Sequence, residues 1–549
     1  MRSRSVTVLA VLSAALVSGG WLLHRGIGSA AGAVDGARLF DDVKRHVERH
    51  YVDSVSESTV YRKAVDGMLY ELRDPHTVFL SPERLRRLTE STTGTYAGLG
   101  IQIDVRDGWV TIIAPVPGSP AERAGLQTGD KIVEINGKTT RGLTPDEATR
   151  SLRGAPGTTA ELQVERPGVE GRIPFRVERR NIHTRAVTRA TMLRPDVGYV
   201  DVNVFGDSTA VELRGAIDSL TGAGMKSLIL DLRLNPGGLL EQGVAVSELF
   251  LDPGQEIVSM RGRTADTRRA FADRFAQKWP SLPIVVLVNE GSASASEIVA
   301  GALQDHDRAV ILGRTTYGKG SAQSLFPMAI GGALKVTTAL WYTPVGRSIN
   351  KKASAASDDG DDDGAAGEAG DETRDRETFR TDSKRVVYGG GGITPDVVVG
   401  DTTLAPTELA FQRALGSKVP QFRDALTDYA LSLKASRAVA SPDFPVTPEM
   451  RHEMWRRMAG REITMGRATF DSATTLVDRL LTYEIARYVF GTGTEFLRIA
   501  RNDEVIAASL DLLAGAPTQT DLLRRAAARQ AERAAERERA AERERGGER

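Results

Sequence analysis

The sequence predicts a multidomain α/β protein. Its parts are a layered α/β core, an inserted strand-rich domain, an N-terminal helical segment and a helical C-terminal extension. Three observations carry this. Between residues 187 and 350, apolar strand-like runs alternate with amphipathic helical stretches, the pattern of a core with largely parallel strands. Between 94 and 180 the chain breaks into short alternating runs with frequent glycine. Residues 37–90, and the chain from Thr403 onward, read as helices.

Taken from the start, residues 1–33 pair Arg2 and Arg4 with an apolar stretch from Val6 to Leu23 and small residues around Ala31-Gly32-Ala33. That order predicts a secretory signal peptide, or an N-terminal membrane anchor with the arginines held inside. Either way, export to the periplasm or cell envelope of a bacterium is expected, with membrane contact only through this segment. There is no cysteine, which excludes disulfides, thiolate catalysis, cysteine-ligated metals and lipoprotein anchoring. The 72 basic and 72 acidic residues balance, so no global nucleic-acid footprint exists.

The helical region 34–93 includes "ARLFDDVKRHVERHYV", with Leu39, Phe40, Val43, Val47 and Tyr51 at helical spacing. His46 and His50 lie one turn apart with no third ligand in view, so they read as surface histidines and no metal is expected. The strand-rich domain spans 94–182, with one helical piece in "SPAERAG". The core, 183–352, runs "VGYVDVNVF", a helix from Ser208 to Leu220, "SLILDLR", a helix from Leu239, "PIVVLVN", a helix from Ser296, then "AVILG". From Ala353 to Glu377 the chain is acidic with almost nothing apolar beyond alanine. This predicts a disordered excursion, taken to residue 384. The core continues over 385–402 with "GGITPDVVV". The extension 403–549 ends in an Ala/Glu/Arg helix lacking an apolar stripe, expected to be solvated or self-associating.

"NEGSASASE", residues 289–297, places three serines where a buried strand hands over to a helix. Ser294-Ala295-Ser296-Glu297 fits a capping box. A hydroxyl at that position also meets free N–H groups and positive dipole potential, which suits a nucleophile. A nucleophile needs a base. Arginine greatly outnumbers lysine here, yet Lys319 sits alone in the glycine loop "GRTTYGKGSAQ". Gly313, Gly318 and Lys319 match the start of a phosphate loop, but Gly320 stands where Ser or Thr is required, and a strand pattern follows instead of a helix. A lysine serves as a base only when neutral, which an uncharged, apolar surround favours. Of the seven histidines, His183 and His306 alone lie in or beside the core, and neither sits in a triad-like context.

These residues, with "DLRLNPGGLL" (231–240), "LRDPHTVFLSPE" (72–83), "WYTPVGRSI" (341–349) and "GGITPDVVV" (391–399), resemble the carboxyl-terminal processing peptidases, tail-specific serine proteases, over about residues 37 to 400. The resemblance implies Ser294 as nucleophile, Lys319 as general base and Gln323 as the residue that orients the lysine. It implies an oxyanion hole from backbone N–H groups of Ala295 and of a glycine in Asn235-Pro236-Gly237-Gly238, assigned to Gly238. Asp305 falls where some members carry an acid, and is read as structural. No cofactor is implied.

The strand-rich domain resembles a PDZ domain through "GSPAERAGLQTGDKIVEINGKTT" (118–140) and Gly98-Leu99-Gly100-Ile101, which looks like its carboxylate-binding loop. Such a domain would bind protein substrates through free, apolar C-termini by adding the tail to a sheet edge. Arg153 is the candidate relay between tail binding and the protease. The competing expectation is a binding scaffold on an inactive protease-like core, which should have lost Ser294 or Lys319. An ATP-using chaperone rests only on the incomplete phosphate loop.

Overall fold

The computed structural model describes residues 35–329, 331–351, 376–400 and 404–547. The leader segment 1–33, and the acidic stretch as far as residue 375, lie outside the described residues. The chain divides into two compact units, one formed by its N-terminal segment to Leu85 together with Gln323–Thr337, the other by Arg86–Ala322 and Thr338 onward.

In the first unit, helices 35–50 and Glu57–Tyr70 precede the strand Val78–Leu80. That strand pairs antiparallel with residues 333–335. The "DPHT" turn between helix and strand closes on the Asp74 carboxylate, which accepts from the His76 N–H (3.0 Å) and the Thr77 hydroxyl (2.5 Å).

The second unit holds the core, built on a six-stranded sheet. Its order is Val187–Arg194, Val197–Val202, Ser227–Asp231, Ile284–Val288, Val310–Gly313 and Val397–Val398. The first pair is antiparallel and all later pairs are parallel. The central strands read as unbroken apolar runs because both faces are covered. Leu228, Leu230, Val286, Val288 and Ile311 pack with helices Thr209–Gly222, Leu240–Ser247 and Ala295–Asp305 on one face. Alternate residues Ile229, Val285, Leu287, Val310 and Leu312 meet Ile506, Leu512, Leu513 and Leu522 of the C-terminal extension on the other.

The extension is therefore a structural layer of the core. The final helix is Gln519–Gly547; Leu522 is buried and Gln519 accepts the Ile284 N–H (2.9 Å). The Ala/Glu/Arg stretch, expected to be solvated or self-associating, starts within it, and its first residue, Ala526, is buried too. Further along it, Gln530 accepts from the Val398 N–H (3.4 Å) and Arg533 donates to the Val398 carbonyl. An edge strand leaves such backbone groups open. Polar side chains can cover them without an apolar stripe, which is why the pattern gave no sign of contact.

The acidic excursion also ends earlier than residue 384. Thr378–Arg380 forms a hairpin with Val386–Tyr388, and Thr381 is buried. The Asp382 and Ser383 N–H groups bond to the Asp305 carbonyl (3.0 Å) and the Asp307 carboxylate (2.5 Å). Polar bonds to a helix end order a segment whose composition offers little to bury.

The inserted domain is an antiparallel sheet ordered Ile101–Arg106, Trp109–Pro115, Lys131–Ile135, Thr159–Glu165, Arg172–Glu178, packed around Leu99, Val110, Ile132, Leu162 and Val164. Ile101–Arg106 is an edge, and the helix Pro145–Leu152 lies beside it. Among the described residues, no helix is long and apolar enough to cross a membrane.

Candidate active site

The three serines prove to be different in kind. Ser292 and Ser296 are fully buried, donating to the carbonyls of Leu232 (2.7 Å) and Asn235 (2.9 Å). The Ser292 oxygen also accepts the Asn289 N–H (3.0 Å). They stitch the helix start to the glycine turn after the strand Ser227–Asp231. The Ala293 N–H adds a third stitch, to the Asn235 carbonyl (3.0 Å). Ser294, between them, is partly exposed and has φ +55°, ψ −113°, a conformation that costs about 1–3 kcal/mol for a residue with a side chain.

The expected capping box forms on its glutamate side, Glu297 Oε2 accepting the Ser294 N–H at 2.7 Å. The Glu297 N–H goes to the Ser294 backbone carbonyl (2.9 Å), and the serine hydroxyl makes no cap hydrogen bond.

Asn235-Pro236-Gly237-Gly238 packs directly under this serine. A methyl on Gly237 would lie 2.8 Å from both Ser294 Cβ and the Ala295 nitrogen, and Gly237 has φ +91°. Only glycine meets both demands. The Gly237 N–H is taken by Asn235 Oδ1 (2.9 Å), whose Nδ2 donates to the Val202 carbonyl (2.7 Å). The next glycine differs. Among the described residues, neither the Gly238 N–H nor the Ala295 N–H has a hydrogen-bond partner.

The Lys319 loop is tied to the same helix end by one residue, Glu297, which is fully buried. Its Oε1 accepts the Thr316 hydroxyl (2.6 Å) and the Gly318 N–H (2.7 Å). Its Oε2 accepts the N–H groups of Ser294 (2.7 Å) and Lys319 (3.0 Å). The backbone nitrogens of Ser294 and Lys319 thus share a single carboxylate oxygen. Burial holds the Glu297 carboxyl above its usual value, against the hydrogen bonds from Thr316, Gly318, Ser294 and Lys319. Sequence reading saw only a cap here. Glutamate three residues after a serine signals a helix start, and nothing local reveals that the carboxylate also binds residues 316–319. The loop is further held by the Tyr317 N–H on the Ser292 carbonyl (3.0 Å) and the Trp341 indole on the Lys319 carbonyl (3.1 Å).

Gln323 lies in the first unit, where its Nε2 donates to Thr337 Oγ1 (3.3 Å) and the Thr337 N–H donates to Thr77 Oγ1 (3.1 Å). Asp305 is a buried partner of Arg347 (2.6 Å) and accepts the Val345 N–H (3.2 Å), which locks "TPVGRS" to the helix end. His183 Nε2 meets both Glu212 (2.6 Å) and Ser208 (3.2 Å), so one nitrogen carries both contacts and no proton relay can form. His306 bonds Asp382 and the Glu256 carbonyl. The His46 and His50 rings stack on an exposed helix, and no group of potential metal ligands occurs among the described residues.

In the inserted domain, the Leu99 and Gly100 carbonyls are bonded inward, to the N–H groups of Ala121 (3.0 Å) and Val116 (2.9 Å). Among the described residues the N–H groups of Leu99 and Gly100 have no partner. Gly100 has φ +78° and abuts Ser119, while Gly98 ends the short strand Thr95–Gly98. Arg153, at the end of the helix Pro145–Leu152, pairs with Glu90 (2.5 Å) and lies over the Tyr96 ring, so it bridges the domain to the helix Pro82–Thr93.

A partly exposed serine on a strained strand-to-helix turn, packed on a glycine turn, with the N–H groups of Ala295 and Gly238 unpaired among the described residues, is a site of the serine-hydrolase kind on a layered α/β core. Peptidase family S41 matches residues 196–358 and the PDZ domain family matches residues 111–166. The carboxy-terminal-processing protease of Bartonella bacilliformis is 40% identical over 314 residues, covering 56% of this chain and 71% of that one. The carboxy-terminal processing protease CtpA of Bacillus subtilis is 36% identical over 355 residues, covering 63% and 74%. Among solved structures, a photosystem II D1 C-terminal processing protease aligns at 30% identity, with a TM-score of 0.34, over 57% of this chain and 89% of that chain. The chain belongs to the S41 family of carboxy-terminal processing serine proteases, and it carries a PDZ domain. It is a serine peptidase, and its substrates are proteins or peptides.

Proposed function

We propose that this is an exported endopeptidase with a Ser294–Lys319 dyad, which reads the free, apolar C-terminus of a protein through its PDZ domain and then cleaves the chain. The reading rests on one observation above others. Of three alternating serines, Ser294 alone is not consumed by structural bonds; it precedes Ala295 and packs on the turn that ends in Gly238, two residues whose N–H groups have no partner among the described residues. Ser294 Oγ attacks the scissile carbonyl as its proton passes to neutral Lys319 Nζ. The carbonyl oxygen, now negative, is stabilised by the two N–H groups. Lys319 returns the proton to the leaving amine, and water repeats the sequence on the acyl-enzyme. Arg153 relays PDZ occupancy through Glu90. Residues 1–33 direct export to the periplasm or cell envelope. The C-terminal helices are the surface for any self-association.

The test uses an unstructured protein with an apolar C-terminus, supplied with a free or an amidated carboxylate. The full enzyme should cleave the free form and cleave the amidated form far more slowly. Equal cleavage of both would remove tail reading while leaving the peptidase in place. For export, a fusion of the full chain should fractionate with the envelope, and one lacking residues 1–33 should not.

A further inference from the structure

The edge strand of the PDZ domain is already partly occupied. In the antiparallel pair formed by Ile101–Arg106 and Trp109–Pro115, Asp104 lies opposite Thr111 and Arg106 opposite Trp109. Ile112 spends its N–H and carbonyl on the other neighbour, at Asp130 (2.9 Å) and Gly129 (2.8 Å). Alternation then turns the backbone groups of Thr111 and Trp109 toward Asp104 and Arg106, and those of Ile103 and Val105 toward the open edge. The irregularity between Gln102 and Ile103 keeps this phase, and Gly100 bonds inward to Val116. Ile101, Ile103 and Val105 are the three residues whose backbone a paired tail would use.

Val105 is spoken for on both sides. Its N–H is closed by the Asp104 carboxylate (2.7 Å), and its carbonyl accepts from Arg423 Nη2 (3.2 Å). Arg423 belongs to the helix Val419–Ser436 of the C-terminal extension, and its Nη1 also pairs with Asp104 (3.3 Å). The extension is anchored around this point. Asp424 accepts the Asp107 N–H (3.2 Å), Arg461 forks onto Asp107 and Asp428, and Lys434 donates to the Thr128 carbonyl (3.0 Å). Gly129 presses against Leu431, where a methyl would lie 2.5 Å from Leu431 Cδ2.

We infer that Arg423 sets the length of tail that the PDZ edge can read. The inference rests on tail reading by this domain, and deepens it. A tail whose carboxylate sits at Leu99–Gly100 runs antiparallel to the strand and pairs with Ile101 and Ile103. That registers about four residues, since strand partners advance together. At Val105 it meets a carbonyl already bonded and a guanidinium in the way, and the upstream chain must leave the strand. Arg423 is thus a specificity-determining residue contributed by the C-terminal extension. A substrate needs only a short frayed end to be read, because further residues gain no strand pairing.

The experiment measures binding of fluorescent peptides by the full chain carrying Ser294→Ala, which prevents cleavage. The probes are of about four and about eight residues, share one apolar C-terminal sequence, and carry free or amidated carboxylates. With Arg423 present, the longer peptide should bind within about twofold of the shorter. In Arg423→Ala the longer should gain about tenfold, as expected for one added backbone hydrogen bond, at the freed Val105 carbonyl. Asp104→Asn removes the carboxylate that pairs with Arg423 while keeping an oxygen for the Val105 N–H, and should show a smaller gain in the same direction. It answers the question if Arg423→Ala fails to fold. The same length dependence with and without these substitutions would overturn the inference while leaving tail reading intact. Equal binding of free and amidated peptides by every form would instead overturn tail reading, and this inference with it.

Discussion

The turn around Ser294 and the contact between the PDZ domain and the C-terminal helices are both built from polar groups, yet they are built oppositely. At the turn, Ser292, Ser296, Asn235 and Glu297 are all buried, and each spends its polar atoms on bonds between 2.6 and 3.0 Å. Among the described residues, the N–H groups of Gly238 and Ala295 are left without a hydrogen-bond partner there. At the PDZ contact, Arg106 Nε and Nη1, Arg423 Nε and Asp424 Oδ1 are buried without partners among the described residues. Ion pairs hold that contact, and a cleft of about 500 Å³ opens between Lys131, Arg166, Asp428 and Leu431. A fully satisfied polar network fixes one geometry, whereas buried polar groups without partners cost free energy and weaken the contact that holds them. The first arrangement suits a catalytic turn, and the second is the one the proposed tail reading would call on.

The largest expected effects fall on the turn. Lys319→Ala should lower kcat/KM for peptide cleavage by about three orders of magnitude or more while the melting temperature stays near that of the parent. A variant that remains within tenfold of the parent would show that another group takes the proton.

Glu297→Gln sharpens the comparison. A carboxylate accepts four donors here, and an amide sets its own NH2 against two of them. We expect a loss of about 10²-fold, carried mainly by kcat. The pH profile has a definite sign. Burial raises the Glu297 carboxyl above its usual value, so acidification protonates it earlier than an exposed glutamate. Protonation places an O–H among four donors and loosens the Lys319 loop. Activity should therefore fall as pH drops while far-ultraviolet circular dichroism is unchanged. A glutamine variant with parental activity and pH profile would make Glu297 a mere cap.

Asp305→Ala tests stability instead of chemistry. It leaves Arg347 charged and fully buried, which costs about 3–5 kcal/mol. Thermal unfolding should register it. Peptide cleavage by the fraction that remains folded should change little.

The smallest effect belongs to the PDZ contact. Arg461→Ala removes the partner of Asp107 and Asp428, and partly exposed pairs contribute little, about 0–1 kcal/mol. Global stability should hardly move, while hydrogen exchange at residues 104–107 should rise. Arg461 holds the Asp107 carboxyl below its usual value. Its share of stability is therefore present above the ordinary carboxylate range, and is lost only as pH falls through that lowered value. Unchanged exchange in Arg461→Ala would place this contact with the rigid parts of the molecule.

What could be read from the sequence follows the same division. The parallel strands were legible because full burial leaves unbroken runs such as Ile284–Val288, and the serine turn because small residues cluster there. The glycines after Asp231 were legible as a turn, but not which of them keeps a free N–H. That depends on Asn235 folding back onto Gly237. Glu297 was legible only as a cap, since three of its four donors come from residues 316, 318 and 319, about twenty positions away. The roles of Arg423, Gln530 and Arg533 left no local trace at all. Each bonds a backbone group of a distant strand, and such contacts impose no periodicity on the helix that makes them.

The central claim is that the outer serines build the turn and the middle one performs the chemistry. The direct measurement is kcat/KM on one unstructured substrate, beside the melting temperature, for Ser292→Ala, Ser294→Ala and Ser296→Ala. Ser294→Ala should lose at least about three orders of magnitude in rate with its stability intact. Ser292→Ala takes the acceptor from the Asn289 N–H, and Ser296→Ala leaves the Asn235 carbonyl to the Ala293 N–H alone. Each should lose about 0.5–1.5 kcal/mol of stability, the net worth of a hydrogen bond, yet stay within about tenfold of the parent in rate. A stable but inactive Ser292→Ala or Ser296→Ala, or an active Ser294→Ala, would contradict the account.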